Sequence, residues 1–458
     1  MQSNITLTIT TGKLSGKTYT FEQRANFLIG RGDDCHLSIQ DEFYQGVSRY
    51  HCVLDINPPE IKIKDLGSLN GTYINSQKIG QRNSNLNGKN ASITEFPEYD
   101  LKDGDEIILG DLVLKVTVEA EVEAVSHAQN SLLGSINYPP KLKNAENQKI
   151  STVAENLIQL AHQDNENLKI LSNYKLIKLI EKISFGEVYL VQHIKTRQAA
   201  ALKIMIPTVA EDEIRIKNFS QEIENLQTLK HPNLVDVLNY SYAENVFLIL
   251  MEYHKLGNVC NLMKQLGGKI QIPIAIEIIV QVLDALDYAH NQEVPYMKLA
   301  DGNVSKGKGL LHRDLKPDNI FLSTNNRKLV AKVADYGLAK SFYLAGLSGQ
   351  TLTKVKQEGE PIFIPRQQVL KLRESKPDVD VWAAAACLYN MLTGCLPRDF
   401  GKEPWLDILQ NDPVPIRERD TSIPTNLAEV IDLALVEKPR IHFQSAAAFK
   451  QALVESIT

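Results

Sequence analysis

His312-Arg313-Asp314-Leu315-Lys316-Pro317-Asp318-Asn319 puts a carboxylate, a cation and an amide into one short loop. Transfer of a phosphoryl group needs those groups together. A carboxylate orients the attacking hydroxyl and takes its proton, acidic and amide oxygens hold a divalent cation, and a positive charge meets the developing phosphoryl charge. Asp314, Asn319 and Lys316 are the candidates, and Asp335 follows in Val333-Ala334-Asp335-Tyr336-Gly337 as a second acidic oxygen source. A helix-capping turn would explain His-Arg-Asp, but not all eight residues.

Outward from that loop the pattern changes once. Upstream, β-like segments at 174–180, 188–194, 199–205 and 246–253 surround one helical stretch; after Tyr253 the periodicity is mainly helical, over 272–290, 380–394, 426–436 and 445–456. A small β-rich half followed by a large α-rich half predicts a bilobed α+β domain with a cleft. Loop and pattern together resemble the protein kinase catalytic domain, over roughly residues 174 to 455, with Tyr336 in place of the phenylalanine of the family's DFG motif. Lys316 favours the Ser/Thr branch.

The resemblance implies a set of roles. Asp314 is the base, Lys316 meets the transferred phosphoryl group, and Asn319 and Asp335 hold the metal. Lys203 in Ala201-Leu202-Lys203 pairs the ATP phosphates, and Glu222 in the helical stretch holds Lys203. Ile180, Gly186, Val188, Ala201 and the hinge Met251-Glu252-Tyr253-His254, with Met251 as gatekeeper, would enclose ATP. Asp380 would anchor the catalytic loop from below. Thr351 and Thr353 are the autophosphorylation candidates in a segment that also holds Ser341, Tyr343 and Ser348, with Arg313 as the receiver of an activating phosphate. ATP and Mg2+ are the implied cofactors, with Mn2+ as the alternative ion.

Four departures qualify that reading. The family's Gly-x-Gly-x-x-Gly phosphate loop is here Glu181-Lys182-Ile183-Ser184-Phe185-Gly186-Glu187-Val188, so only the third glycine survives. Ser184, Phe185 and Val188 still match, which implies a hairpin with weakened ATP binding. Glu360 stands where Ser/Thr kinases carry a threonine. Gln367 replaces a glutamate that usually pairs with an arginine near the C-terminus, for which Arg440 is the candidate. Finally, an insertion at 293–309, rich in glycine and lysine, reads as an exposed loop.

The first 119 residues follow another rule. Short alternating segments separated by turns such as Arg31-Gly32-Asp33-Asp34 predict an all-β sandwich. A polar stretch at 81–99 reads as an insertion at a sandwich end. Three clusters fall between strands: Gly30-Arg31-Gly32, Ser48-Arg49-Tyr50-His51 and Asp65 to Thr72. Singly, each is an ordinary turn. Together they offer a guanidinium fork, a hydroxyl and an amide, which suit an anion on a peptide. In this order and spacing they resemble the forkhead-associated (FHA) domain, over roughly residues 3 to 119. The resemblance implies an 11-stranded sandwich that binds phosphothreonine peptides. Arg31 and Ser48 would hold the phosphate, Arg49 would flank it and Asn70 would hold the peptide backbone. His51 would support the loops from below and Gly71 would permit the turn. Leu69 stands where many members place Thr or Ser, so one contact is expected to be missing.

The reading is therefore multidomain: an FHA-like sandwich at 1–119, a linker with a candidate amphipathic helix at 120–172, and a kinase domain at 173–458, divided near residue 253. Charged residues at 23% and a net charge of -5 suit a globular protein and give no sign of nucleic-acid binding. No apolar run of about 18 residues is present, so no membrane partner is expected. Five scattered cysteines without a C-x-x-C pair suit a reducing, cytoplasmic setting. The expected function is a Ser/Thr protein kinase, akin to bacterial FHA-containing kinases, whose FHA domain recruits phosphothreonine proteins, including other copies of itself. The alternative is a catalytically weak pseudokinase scaffold that works by phosphopeptide binding.

Overall fold

The computed structural model describes residues 4–22, 25–32, 35–39, 44, 46–81, 97–119, 154, 157–158, 160–161, 168–183, 186–205, 213–244, 246–298, 304–336, 363–370, 375–401 and 404–457. They form two compact units. The first is built on residues 4–119 and also takes in Phe400–Leu409; the second holds the other described residues.

Among the described residues, eleven strands make the first unit. One sheet joins β1 (Asn4–Ile9), β2 (Thr18–Phe21), β7 (Thr72–Ile74), β8 (Gln77–Gly80), β10 (Glu106–Leu109) and β11 (Leu112–Glu119) in the order β2-β1-β11-β10-β7-β8. The other joins β3 (Ala25–Gly30), β4 (Leu37–Ser38), β5 (Cys52–Asn57), β6 (Glu60–Asp65) and β9 (Tyr99–Leu101) in the order β4-β3-β5-β6-β9. Period-2 alternation sends Ile5, Leu7 and Ile9 inward against Ile29, Leu54 and Ile63, and Thr6 and Thr8 outward. Register then decides where the loops gather. Ile29 pairs both Leu37 and Cys52, and Cys52 pairs Asp65, so the three predicted clusters leave one end of the sandwich.

The second unit opens with a five-stranded antiparallel sheet. Its strands are β12 (Tyr174–Ile183), β13 (Gly186–His193), β14 (Ala199–Met205), β15 (Val237–Ala243) and β16 (Val246–Glu252), in the order β12-β13-β14-β16-β15. Both faces are covered. Ala201, Met205, Phe247, Ile249 and Met251 face the main core beneath helix α1 (Glu213–Thr228), while Leu202, Ile204, Leu248 and Leu250 point the other way. Covering that second face are Ala154, Leu157, Ala161, Leu168 and Leu171, so the apolar side of the expected linker helix packs on this sheet.

The helical part runs through α2 (Val259–Gln265), α3 (Ile272–Asn291), α4 (Arg366–Leu370), α5 (Asp378–Thr393), α7 (Ile416–Arg419), α8 (Thr425–Ala434) and α9 (Ala446–Ser456), while α6 (Pro404–Gln410), all but its last residue, is grouped with the first unit. Helix α5 is buried along nearly its whole length, its run Ala383–Ala386 included, and α3 packs against it. Hairpin β19 (Ile320–Asn325) and β20 (Lys328–Val333) follows the catalytic loop. The stretch at 293–309, expected as an exposed loop, is instead an antiparallel hairpin of β17 (Glu293–Lys298) and β18 (Val304–Lys308). Pro295 and a bulge between Val294 and Met297 break the alternation that would have announced it.

Candidate functional site

At the loop end of the sandwich, backbone bonds lock two predicted clusters together. Arg31 N–H donates to Ser48 O and Gly32 N–H to Arg49 O, both at 2.9 Å. His51 is fully buried beneath them. Its Nδ1 accepts from Ser48 N–H at 3.0 Å and its Nε2 donates to Gly71 O at 3.1 Å. Burial lowers its pKa, against the Gly71 bond and Asp65, which suits the neutral tautomer those two bonds require. Ser48 Oγ accepts Leu69 N–H at 2.8 Å, which leaves its own proton to donate. Asn70 Nδ2 donates to Gly46 O at 2.9 Å, and the Arg31 and Arg49 side chains stand exposed. Gly71 turns with φ at 89°, a conformation open chiefly to glycine.

Asp65, named in the sequence only as the start of a cluster, has a role that sequence reasoning did not assign. Its Oδ1 accepts from Gly67 N–H at 2.7 Å and Ser68 N–H at 2.9 Å, and its Oδ2 from the Ser68 and Thr72 hydroxyls. An aspartate at a strand end with Gly-Ser two and three residues on is the available signal, since Asx turns bond the backbone at that distance.

In the second unit, the catalytic loop hangs from Asp380 at the start of α5. Asp380 accepts from His312 N–H, Arg313 N–H and His290 Nε2, each at 2.8 Å, as its expected anchoring role requires. Burial would raise its carboxyl, but the His290 hydrogen bond and the neighbouring donors hold it below the usual range. His312, also buried, donates from Nε2 to Ala334 O at 2.9 Å and so joins the loop to the residue before Asp335. Gln368 adds a bond to Arg313 O at 2.5 Å.

The predicted chemical groups converge on that frame. Asn319 Nδ2 donates to Asp314 O at 2.8 Å and approaches Asp314 Oδ2 at 3.4 Å. Lys316 Nζ lies 3.6 Å from Asp314 Oδ2. Lys203 Nζ meets Asp335 Oδ2 at 2.9 Å, outweighing the effect of burial and holding the Asp335 carboxyl below its usual range. Arg313 and Asp335 keep left-handed backbone, with φ at 64° and 55°, a strain that the surrounding bonds must hold in place. Burial pulls the Arg313 guanidinium below its usual range against the carboxylates of Asp380 and Glu222, and its Nε has no hydrogen-bond partner among the described residues. With its amide nitrogen spent on Asp314, Asn319 offers its oxygen, and Asp335 offers a carboxylate. That donor set fits a hard divalent cation completed by phosphate oxygens.

The nucleotide-side residues fall on neighbouring strands. Val188 pairs Lys203, and Ala201 pairs Met251. Glu252 sends its carboxylate to Lys332 at 2.8 Å and its N–H to Asp236 O at 3.0 Å. The His254 ring is buried, and that burial lowers its pKa against the pull of the Glu252 carboxylate. Ile180 sits in a bulge of β12 and is exposed, while Tyr253 is partly buried against the main core. Gly186 has a packing reason of its own, because a Cβ there would lie 1.8 Å from Ile204 O. Ser184, Phe185, Thr351, Thr353 and Glu360, and most of the 81–99 insertion, lie outside the described residues.

One expected contact is corrected. Gln367 Nε2 donates to the backbone oxygen of Glu437, not to Arg440, which is exposed. The charge lies one residue earlier, where Arg366 and Arg398 both face the Glu437 carboxylate.

A family model for the protein kinase domain matches residues 174–411, just over half of the chain, and one for the FHA domain matches residues 27–110. An Aurora kinase of Eremothecium gossypii is 32% identical over 237 residues, 51% of this chain and 56% of its own length. Serine/threonine-protein kinase pkn3 of Myxococcus xanthus is 28% identical over 292 residues, 62% of this chain and 50% of its own. The chain spans about half the length of these curated relatives. Among solved structures, Rad53 1–466 in complex with AMP-PNP aligns with a TM-score of 0.43 and 18% identity, over 98% of this chain and 95% of that one.

Proposed function

The chain belongs to the protein kinase family and carries an FHA domain, and from that premise we propose that it moves the γ-phosphoryl group of ATP to serine or threonine hydroxyls of proteins recruited through phosphothreonine. One observation carries this reading: Asp314, Lys316 and Asn319 are held as a unit, on a loop whose backbone is bonded to Asp380. A substrate hydroxyl placed at Asp314 gives its proton to that carboxylate as its oxygen attacks the γ-phosphorus and ADP departs. Lys316 meets the charge that develops. Asn319 and Asp335 would hold Mg2+, which draws charge from the phosphate oxygens.

Arg31, Ser48 and Arg49 would bind phosphothreonine, with Asn70 on the peptide backbone. Thr351 and Thr353 are the proposed autophosphorylation sites, Arg313 the receiver of the phosphate, and a second copy of the chain a reader of the product. No described helix is long and apolar enough to cross a membrane.

The test is phosphate incorporation from Mg-ATP by the wild type beside Asp314→Asn, with sites mapped by mass spectrometry. Incorporation is expected to fall by about 10²- to 10⁴-fold in the variant. Equal incorporation in both proteins would overturn the reading.

A further inference from the structure

Hairpin β17–β18 interrupts the chain between α3 and the catalytic loop, and its contacts point at α1. The ladder pairs Glu293 with Lys308 and Val294 with Gly307, then skips to Met297 with Ser305. Pro295 and Tyr296 lie in that step. Tyr296 therefore has an N–H and a C=O to satisfy elsewhere, and one side chain takes both. Asn225 Nδ2 donates to Tyr296 O at 2.8 Å, and Tyr296 N–H donates to Asn225 Oδ1 at 3.0 Å. Asn225 is 1% exposed, so no water competes for these bonds.

Asn225 sits on α1 three residues after Glu222, on the same face, and its Nδ2 lies 3.5 Å from Glu222 Oε2. A second tie runs beside it. Glu224 accepts from Tyr240 Oη at 2.9 Å, and a hydrogen bond to Glu224 holds the Tyr296 phenol above its usual range. The hairpin's root is fixed to the large lobe. Val294 is buried in the main core, Gly309 N–H donates to Gln292 O and Leu310 N–H to Ala289 O, both at 2.9 Å, and the chain runs straight on into His312.

We propose that this hairpin is a strut that sets the position of α1 against the catalytic loop, with Asn225 as the positioning residue that carries its hold to Glu222. The inference rests on the kinase reading and deepens it. The helix is long and bears one glutamate whose placement matters to Lys203, so a bidentate clamp one turn away limits how far that glutamate can swing. Asn225 touches neither nucleotide nor hydroxyl, so it acts through Glu222.

The full chain is compared with Asn225→Ala, with a variant in which Pro295–Lys306 is replaced by two glycines, and with the combination. Steady-state kcat and peptide KM are measured, together with amide hydrogen exchange over residues 219–228. Asn225→Ala is expected to lower kcat about tenfold, to leave peptide KM in place and to speed exchange in α1. Excision should do the same, and the combination should lose no more than either alone. Unchanged kcat in Asn225→Ala, or losses that multiply in the combination, would overturn the strut. Should excision prevent folding, Asn225→Ala decides alone. Should the wild type transfer no phosphate, the kinase reading fails, and exchange decides the strut: unaltered protection of α1 in Asn225→Ala refutes it.

Discussion

The backbone N–H of Arg366 donates to Glu437 Oε1 at 2.6 Å, and its guanidinium faces Glu437 Oε2 at 3.6 Å. In the kinase pattern the acid stands at the end of the activation segment and the base near the C-terminus. Here the segment's last turn carries the base and the later position the acid. Arg398, buried over Trp382 with 4.6 Å between guanidinium and ring, also ion-pairs with Glu437, so one carboxylate serves two buried arginines. Gln367 is left with a neutral bond to the Glu437 backbone.

Glu437→Gln should therefore destabilise strongly, since it leaves Arg366 and Arg398 buried against a neutral amide. Breaking a buried pair in this way costs about 3–5 kcal/mol. Calorimetry should show the kinase unit melting on the order of 10 °C lower. A shift of a degree or two would mean that Asp412, 3.3 Å from Arg366, already neutralises the cluster.

Tyr336 should respond in the opposite direction. Its hydroxyl is buried with no hydrogen-bond partner among the described residues, and burial pushes the phenol well above its usual range. An unpaired buried hydroxyl costs about 1–3 kcal/mol. Tyr336→Phe keeps the ring beside His312 and should raise the melting temperature by a few degrees. A fall would show that the hydroxyl is paired in the working protein.

Binding by the sandwich should separate direct from supporting residues. Arg31→Ala removes an exposed guanidinium and should abolish binding of a phosphothreonine peptide while leaving the melting temperature in place. His51→Ala cuts the ties to Ser48 and Gly71, so it should weaken binding by about tenfold and lower the melting temperature as well. Peptide titration with a paired melt checks both. Unaltered affinity in Arg31→Ala would remove the phosphate from this loop end.

Asp380 predicts an acid limit. Its folded pKa lies below the unfolded value of about 3.9, so its contribution is fully present above about pH 4 and is lost as pH falls through the lower folded value. Asp380→Asn should be less stable than the wild type at neutral pH, and the difference should narrow on acidification below about pH 4. Denaturant midpoints across pH measure it; a gap that stays constant would assign the loss to geometry instead of charge.

Much of this molecule is legible where chemistry repeats over short distances. His312 to Asn319 fixes the catalytic loop, and alternation at Ile5, Leu7 and Ile9 fixes the sandwich. What escapes the sequence depends on distant pairs. Asn225 meets Tyr296 across 71 positions, and the bulge that frees Tyr296 also hides the hairpin's period. Arg366 and Glu437 are likewise 71 positions apart, with the charge moved off the residue that the family pattern singles out. Gly186 shows another limit: the survival of one glycine suggests phosphate contact, yet the approach of Ile204 O already demands it.

The same reasoning extends the kinase unit beyond the segment that resembles a kinase. Leu168 and Leu171 lie before residue 174, where the kinase family match begins, yet both are fully buried against Leu202, Leu248 and Leu250. Together with Ala154, Leu157 and Ala161 they close that sheet face. Leu168→Ala should therefore cost about 2–5 kcal/mol, the penalty of a large-to-small change in a packed core. Leu160, only partly buried on the same segment, should lose much less when changed to alanine. Comparing the two by the melting of the kinase unit tests the packing directly. Equal, small effects would mean that the segment rests on the sheet without stabilising it, and that the unit begins with Tyr174.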